Sequence, residues 1–186
     1  MKFFVMYAET CVEEYAAPGA DIFDLERGCL NSEFQFLDKS PLSVEISDEG
    51  GIEFPDFILE GSIPLISAGV KRVFEKFGVD YVFYKPIQLT YSLLGRAENY
   101  WLAVPPRIDC LDTRKSIIEV EDNEFLLPTE LIREAKKICI AENQIGRYDI
   151  FKLAGVVNQE IIITERLKNA LAAENFENVF FYELEE

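Results

Sequence analysis

The sequence predicts an α+β fold: a mixed or mostly antiparallel sheet with two or three amphipathic helices, two of them in similar strand-helix-strand units. Three observations carry this. Apolar residues make up 49% of the 186, enough to bury a core. Strand-like runs are short, numerous and punctuated by Pro, Gly and Asn. One helical stretch also returns 97 residues later with its apolar positions and its cap in place.

The first strand is the apolar run of six residues, Phe3 to Ala8, that ends at Glu9. It is shorter than the core of a secretory signal, and no cleavage site follows. Ala16-Ala17-Pro18-Gly19 breaks the chain, and Ile22 to Phe36 shows no clean period. Leu42-Ser43-Val44-Glu45-Ile46 alternates apolar and polar, the pattern of a half-buried strand between the turns Ser40-Pro41 and Ser47 to Gly51. Next comes the first copy of the repeated unit. Ser67 caps a helix over about 67–77 with apolar residues at Ile66, Val70, Val73 and Phe74, Gly78 ends it, and Val79 to Tyr84 is a strand. In the second copy Thr164 caps a helix over about 164–174 with Ile163, Leu167, Ala170 and Leu171 on one stripe, and Asn175 and a strand Phe176–Phe181 follow.

Between the copies, Gln88 to Leu94 reads as a strand or short helix. Asn99 to Val104 is a strand closed by Pro105-Pro106, Arg107 to Asp112 another, and Ser116 to Val120 a weaker one. A third helix is predicted over 129–137, with Thr129 as its cap. Ile138 to Ala141, Tyr148 to Leu153 and Glu160 to Ile163 complete the strands. No run approaches the ~20 apolar residues that span a bilayer.

Charge divides the chain into an acidic, loop-rich region, 1–60, and a more regular α+β region, 61–186, within what can still be one compact domain. The net charge is −16; residues 1–60 hold 3 basic and 14 acidic residues, so most of that charge lies in the first third. This excludes an ordinary nucleic-acid binder, which needs a basic surface, and an anionic membrane surface as partner. A field of this sign attracts and orients a basic partner. The candidate partner-binding residues are therefore Asp21, Asp24, Glu26, Glu45, Asp48 and Glu49, set against the plainer reading that such runs are solvated faces.

There is no histidine, which removes Ser-His and Cys-His nucleophile arrangements and the commonest metal ligand. Cys11, Cys29, Cys110 and Cys139 have no metal-ligand spacing and read as reduced and partly buried. No glycine-rich phosphate loop occurs. The one compact constellation is Arg107, Asp109, Asp112 and Ser116. Two carboxylates three apart at a strand end suit turn capping and ion pairing, partner contact, or work as a cation site or acid-base pair.

Ile108-Asp109-Cys110-Leu111-Asp112 with Ser116, then Asp149-Ile150-Phe151-Lys152-Leu153 and Ile161 to Lys168 running into a last strand, resemble the motifs of bacterial immunity proteins of polymorphic toxin systems. The resemblance is to immunity protein family eleven, typified by a Myxococcus protein and formerly a domain of unknown function. It covers about 40–184, with motif positions Asp109, Asp112, Ser116 and Phe151; Lys152 stands where arginine is expected. It implies a cytoplasmic, non-enzymatic protein without cofactor or metal that binds and neutralises a cognate toxin, and the negative charge of the chain itself predicts that this toxin is basic. The residues leave two other readings open: a small enzyme using Asp109 and Asp112, and a homodimer formed through exposed aromatics.

Overall fold

A computed structural model describes residues 1–10, 12–48, 50–121 and 132–184. The first strand, β1 (Phe3–Tyr7), is followed by a 3-10 turn (Ala20–Leu25), α1 (Glu26–Leu30) and β2 (Leu42–Glu45). A hairpin of β3 (Phe57–Glu60) and β4 (Ile63–Ser67) leads into α2 (Ala68–Lys76), β5 (Phe83–Tyr91) and β6 (Arg96–Val104). Then come β7 (Arg107–Ile108), β8 (Ile117–Glu121), β9 (Ile132–Lys137), β10 (Ile150–Leu153), β11 (Ile161–Thr164), α3 (Glu165–Ala172) and β12 (Phe180–Glu183).

Two mixed five-stranded sheets result, ordered β12-β1-β11-β10-β7 and β2-β5-β6-β4-β3, with β8 and β9 as a separate ribbon. All pairings are antiparallel except β10 with β7 and β2 with β5. The class is the α+β fold that the sequence predicts. The continuous apolar runs at Phe3–Met6, Ile63–Ile66 and Ile161–Ile163 are strands buried on both faces.

The side-chain period of two sends neighbouring residues into different cores. Ile66 joins Val70, Val73, Phe74, Leu167 and Leu171 in a central core, where α2 and α3 lie between the two sheets; Met6, Ile161 and Ile163 close it from the other side. Leu65 instead joins Ile87, Leu89 and Leu102 beneath the 3-10 turn and α1. Ile162 joins Phe3, Phe151 and Leu153 under the ribbon and Cys110.

Both predicted helices begin at their predicted caps. The Ser67 hydroxyl accepts from Val70 N–H at 3.3 Å and donates to Asp56 Oδ1 at 2.6 Å. The Thr164 hydroxyl accepts from Leu167 N–H at 3.5 Å and donates to Asp149 Oδ1 at 2.7 Å. Gly78 and Asn175 take the left-handed backbone that ends a helix, with φ of +72° and +53°.

Four expectations change. Residues 132–137 are a strand, not part of a helix, while 129–131 lie outside the described residues. The ladder to β8 and the Asn158 side chain decide this: its amide accepts from Ala135 N–H at 2.8 Å and donates to Ala135 C=O at 3.1 Å. The third helix is instead α1, within the stretch that had no clean period. The strands after the two long helices start at Phe83 and Phe180, later than their apolar runs begin, because turns come first. The hairpin β3–β4 stands where only a helix entry at Ile66 was read. Cys29, Cys110 and Cys139 are free and buried, and burial pushes the Cys29 and Cys110 thiols up to about 12; Cys11 lies outside the described residues.

Lys152 on β10 is 1% exposed, and its ammonium donates to Cys29 C=O at 3.0 Å. Burial brings its pKa down to about 8, although the Cys29 thiol opposes the shift. The unfolded chain keeps that proton to about 10.4. The contribution of Lys152 to stability therefore rises with pH above 8, where the folded state gives the proton up first. The charged form buried at pH 7 costs on the order of 3 kcal/mol, from the depression and 1.36 kcal/mol per pKa unit. Lys152→Met removes that cost but leaves the Cys29 carbonyl without its donor, about 1 kcal/mol. The variant is expected to gain about 1–2 kcal/mol at pH 7, and this advantage over the parent should shrink between pH 8 and 9; the shifted thiols act in the opposite sense over the same range, but they are common to both proteins and cancel in the difference. Urea midpoints of variant and parent at pH 7, 8 and 9 check this, and an advantage that stays constant across the three refutes it.

An acidic groove as the candidate functional site

The chain after β1 zips against residues 46–53. Ala16 N–H donates to Glu53 C=O at 2.7 Å, Gly51 N–H to Tyr15 C=O at 2.8 Å, and Glu53 N–H to Glu14 C=O at 2.9 Å. A side chain at Gly51 would overlap the Glu14 carbonyl, so this approach requires glycine. Asn178, with φ of +59°, locks the other side. Its amide oxygen accepts from Glu9 N–H at 2.9 Å, and its NH2 donates to Glu9 C=O and Phe57 C=O, each at 3.1 Å.

Between these walls runs a groove of about 300 Å³. Val12, Ala16, Pro55, Ile58 and Leu59 supply apolar surface, Glu9, Glu13 and Glu60 are its carboxylates, and among the described residues no lysine or arginine lines it. Tyr15 stands at the wall, its hydroxyl 3.4 Å from Glu177 Oε1. Burial raises its phenol, and the charges of Glu177, Glu53 and Glu9 add in the same direction. An apolar floor under carboxylates matches a partner segment that carries both apolar and cationic side chains.

The acidic residues singled out in the sequence scatter around this groove. Asp21, Asp24 and Glu26 are exposed on the 3-10 turn and α1, off the lining, and Glu26 reaches toward the β3–β4 turn at Gly61. Glu45 is occupied within the fold. Its carboxylate accepts from Ser92 N–H at 2.6 Å, Thr90 hydroxyl at 2.7 Å and Ser92 hydroxyl at 2.8 Å, and these bonds hold it below the usual carboxylate range. Asp48 is exposed two residues before Gly50 at the groove, and Glu49 lies outside the described residues. Reasoning from clusters missed Glu9, Glu13 and Glu60. The Glu13-Glu14 doublet was a usable signal; Asn178 had none.

Three of the four motif positions, Asp112, Ser116 and Phe151, make contacts within the fold. Asp112 Oδ1 accepts from Arg114 N–H at 3.1 Å, and its carbonyl accepts from Lys115 and Ser116 N–H. Ser116 hydroxyl accepts from Cys139 N–H at 3.0 Å and donates to Cys139 C=O at 3.3 Å. Phe151 is completely buried, and Asp109 is exposed. Arg107 donates to Leu153 C=O at 2.6 Å, Val156 C=O at 2.7 Å and Leu30 C=O at 2.8 Å. Asp112 is thus a turn cap, and no group of three or more Cys, Asp or Glu placed to hold a metal ion occurs among the described residues. Nor, among them, is any helix long and apolar enough to cross a membrane.

A comparison with curated proteins returned no match. The profile of the Immunity protein family (Imm11) matches residues 4–186, including the N-terminal third that the short motifs do not reach. The turn built on Asp112 and Ser116, the core around Phe151 and the acidic segments before β3 all fall inside that one match, so the chain belongs to the Immunity protein family (Imm11).

Proposed function

We propose that this protein binds a cognate toxin directly and neutralises it in the cytoplasm of the cell that makes both, with the acidic groove as the main contact. The observation that carries this reading is the groove itself: apolar surface under Glu9, Glu13 and Glu60, with no cation among the described residues that line it, in a member of an immunity family. The toxin is basic on the surface that docks there. An acidic inhibitor finds such a protein quickly and covers its cationic surface, which in a nuclease is where the substrate phosphates sit. Binding and not catalysis is the activity, and no cofactor is required.

A tagged chain used as bait in its native cell, eluted at low and high salt, tests this. The expected result is one basic protein retained at low salt and released at high salt. That protein, expressed alone, arrests growth, and co-expression with this chain relieves the arrest. Retained proteins that are harmless alone, or an arrest that co-expression leaves untouched, would sink the reading.

A further inference from the structure

Beside the groove lies a second feature. Two residues before Glu9 on β1 is Tyr7, and two residues after Asn178 on β12 is Phe180. Their rings are 5.6 Å apart, and Tyr182 packs 5.7 Å from Tyr7. Phe180 and Tyr182 are 38% and 47% exposed on the edge strand of the first sheet. Nearby, Glu160 Oε1 accepts from Asn158 NH2 at 3.2 Å, while the buried Oε2 has no hydrogen-bond partner among the described residues. The Glu160 charge is felt at Tyr182, whose phenol is raised by burial and then by this carboxylate.

We propose that this corner, Tyr7, Phe180 and Tyr182 beside Glu160, seats an arginine or lysine side chain of the toxin; the proposal rests on the toxin-binding reading above. Three observations point to a cation. Aromatic faces attract cations, and an uncompensated carboxylate beside them strengthens the attraction where water is partly excluded. The chain treats its other aromatic surfaces this way. Arg27 lies over Phe36, Lys39 over Phe83, Lys71 over Tyr84 and Trp101, Arg96 over Phe54 and Arg147 over Tyr81, but none of these cations sits at the Tyr7 corner. The third observation is internal. The 97-residue shift carries Phe83 onto Phe180 and Lys85 onto Tyr182, and each pair lies on a strand in an antiparallel ladder, against Val104 and Leu102 in the first place and against Tyr7 and Val5 in the second. At the first of these places the chain covers itself: Phe34 stacks on Phe83 at 5.5 Å, and Lys85, 3% exposed, is held by Asp38 and Ser40. At the second place the corresponding rings are open. A second copy of this chain is a poor occupant, since two bodies of net charge −16 repel.

The test uses the full chain and a defined probe. N-acetyl-arginine methylamide is titrated at low salt while NMR follows the Tyr7, Phe180 and Tyr182 ring signals, with the neutral citrulline analogue as control. Saturable shifts with the arginine probe alone are expected, roughly threefold to thirtyfold weaker in Tyr182→Ala and in the shape-preserving Glu160→Gln, the span of a cation–π contact from exposed to desolvated. Toxin captured as above should dissociate correspondingly faster from both variants. Absent or unsaturable shifts, an equal response to citrulline, or ring shifts that follow protein concentration instead would overturn the proposal. So would saturable probe binding combined with unchanged toxin dissociation. Failure of the toxin-binding reading is told apart because it shows in the bait and growth assays while the probe titration still reports on the corner.

Discussion

Phe151→Ala is expected to lower stability by about 3–5 kcal/mol, against a total of about 5–15 for a domain of this kind. Phe151 has no exposed surface and meets Phe3 edge to face at 6.3 Å. Around it lie Cys110, Ile145, Leu153 and Ile162, the layer that fastens the β8–β9 ribbon and the Asp112 turn to the first sheet. Deleting the ring leaves a cavity that a two-sided strand cannot close, because the opposite face of β10 is held by Ile150 in the central core. A urea titration measures the loss. Amide exchange should show residues 117–121 and 133–137 released before β4 and β11. Toxin binding per folded molecule should stay unchanged, since Phe151 does not line the groove. A loss under 1 kcal/mol would mean the motif position does not carry the packing assigned to it.

Glu9, Glu13 and Glu60 changed together to lysine should slow association with the captured toxin by about 10–1,000-fold at low ionic strength, and by much less at high salt. Each replacement turns a carboxylate at the groove into an ammonium, so the local field reverses while the net charge of −16 only falls in magnitude. The matched reversal of Asp21, Asp24 and Glu26 changes the net charge by the same amount off the lining. Stopped-flow association rates compare the two. Equal slowing in both triples would show that the overall charge steers the toxin and the groove does not. Both triples should keep their urea midpoints close to that of the parent, because these side chains are exposed or half-buried.

Much of the fold was legible in one dimension, and its legible parts are those that rest on local interactions. A helix cap is a bond between residues three apart, so Ser67 and Thr164 identified themselves, as did the apolar stripes behind them. The two left-handed helix ends were equally local, since the conformation belongs to Gly78 and Asn175 themselves. The α+β class followed from composition and alternation, and the negative net charge from composition alone. Local reasoning failed where a distant group supplied the deciding bond. Residues 132–137 form a strand because β8 and Asn158 satisfy their backbone, which no periodicity within the segment reveals. Lys152 is buried because α1 brings Cys29 C=O to it across more than a hundred residues. The groove exists only because Asn178, near the C-terminal end, ties Glu9 to Phe57, so its carboxylates belong to segments far apart in the chain. The sequence by itself determined the two long helices, their ends and the negative net charge. Only the tertiary structure decided which carboxylates share a surface, because that depends on long-range hydrogen bonds and packing that no local pattern encodes.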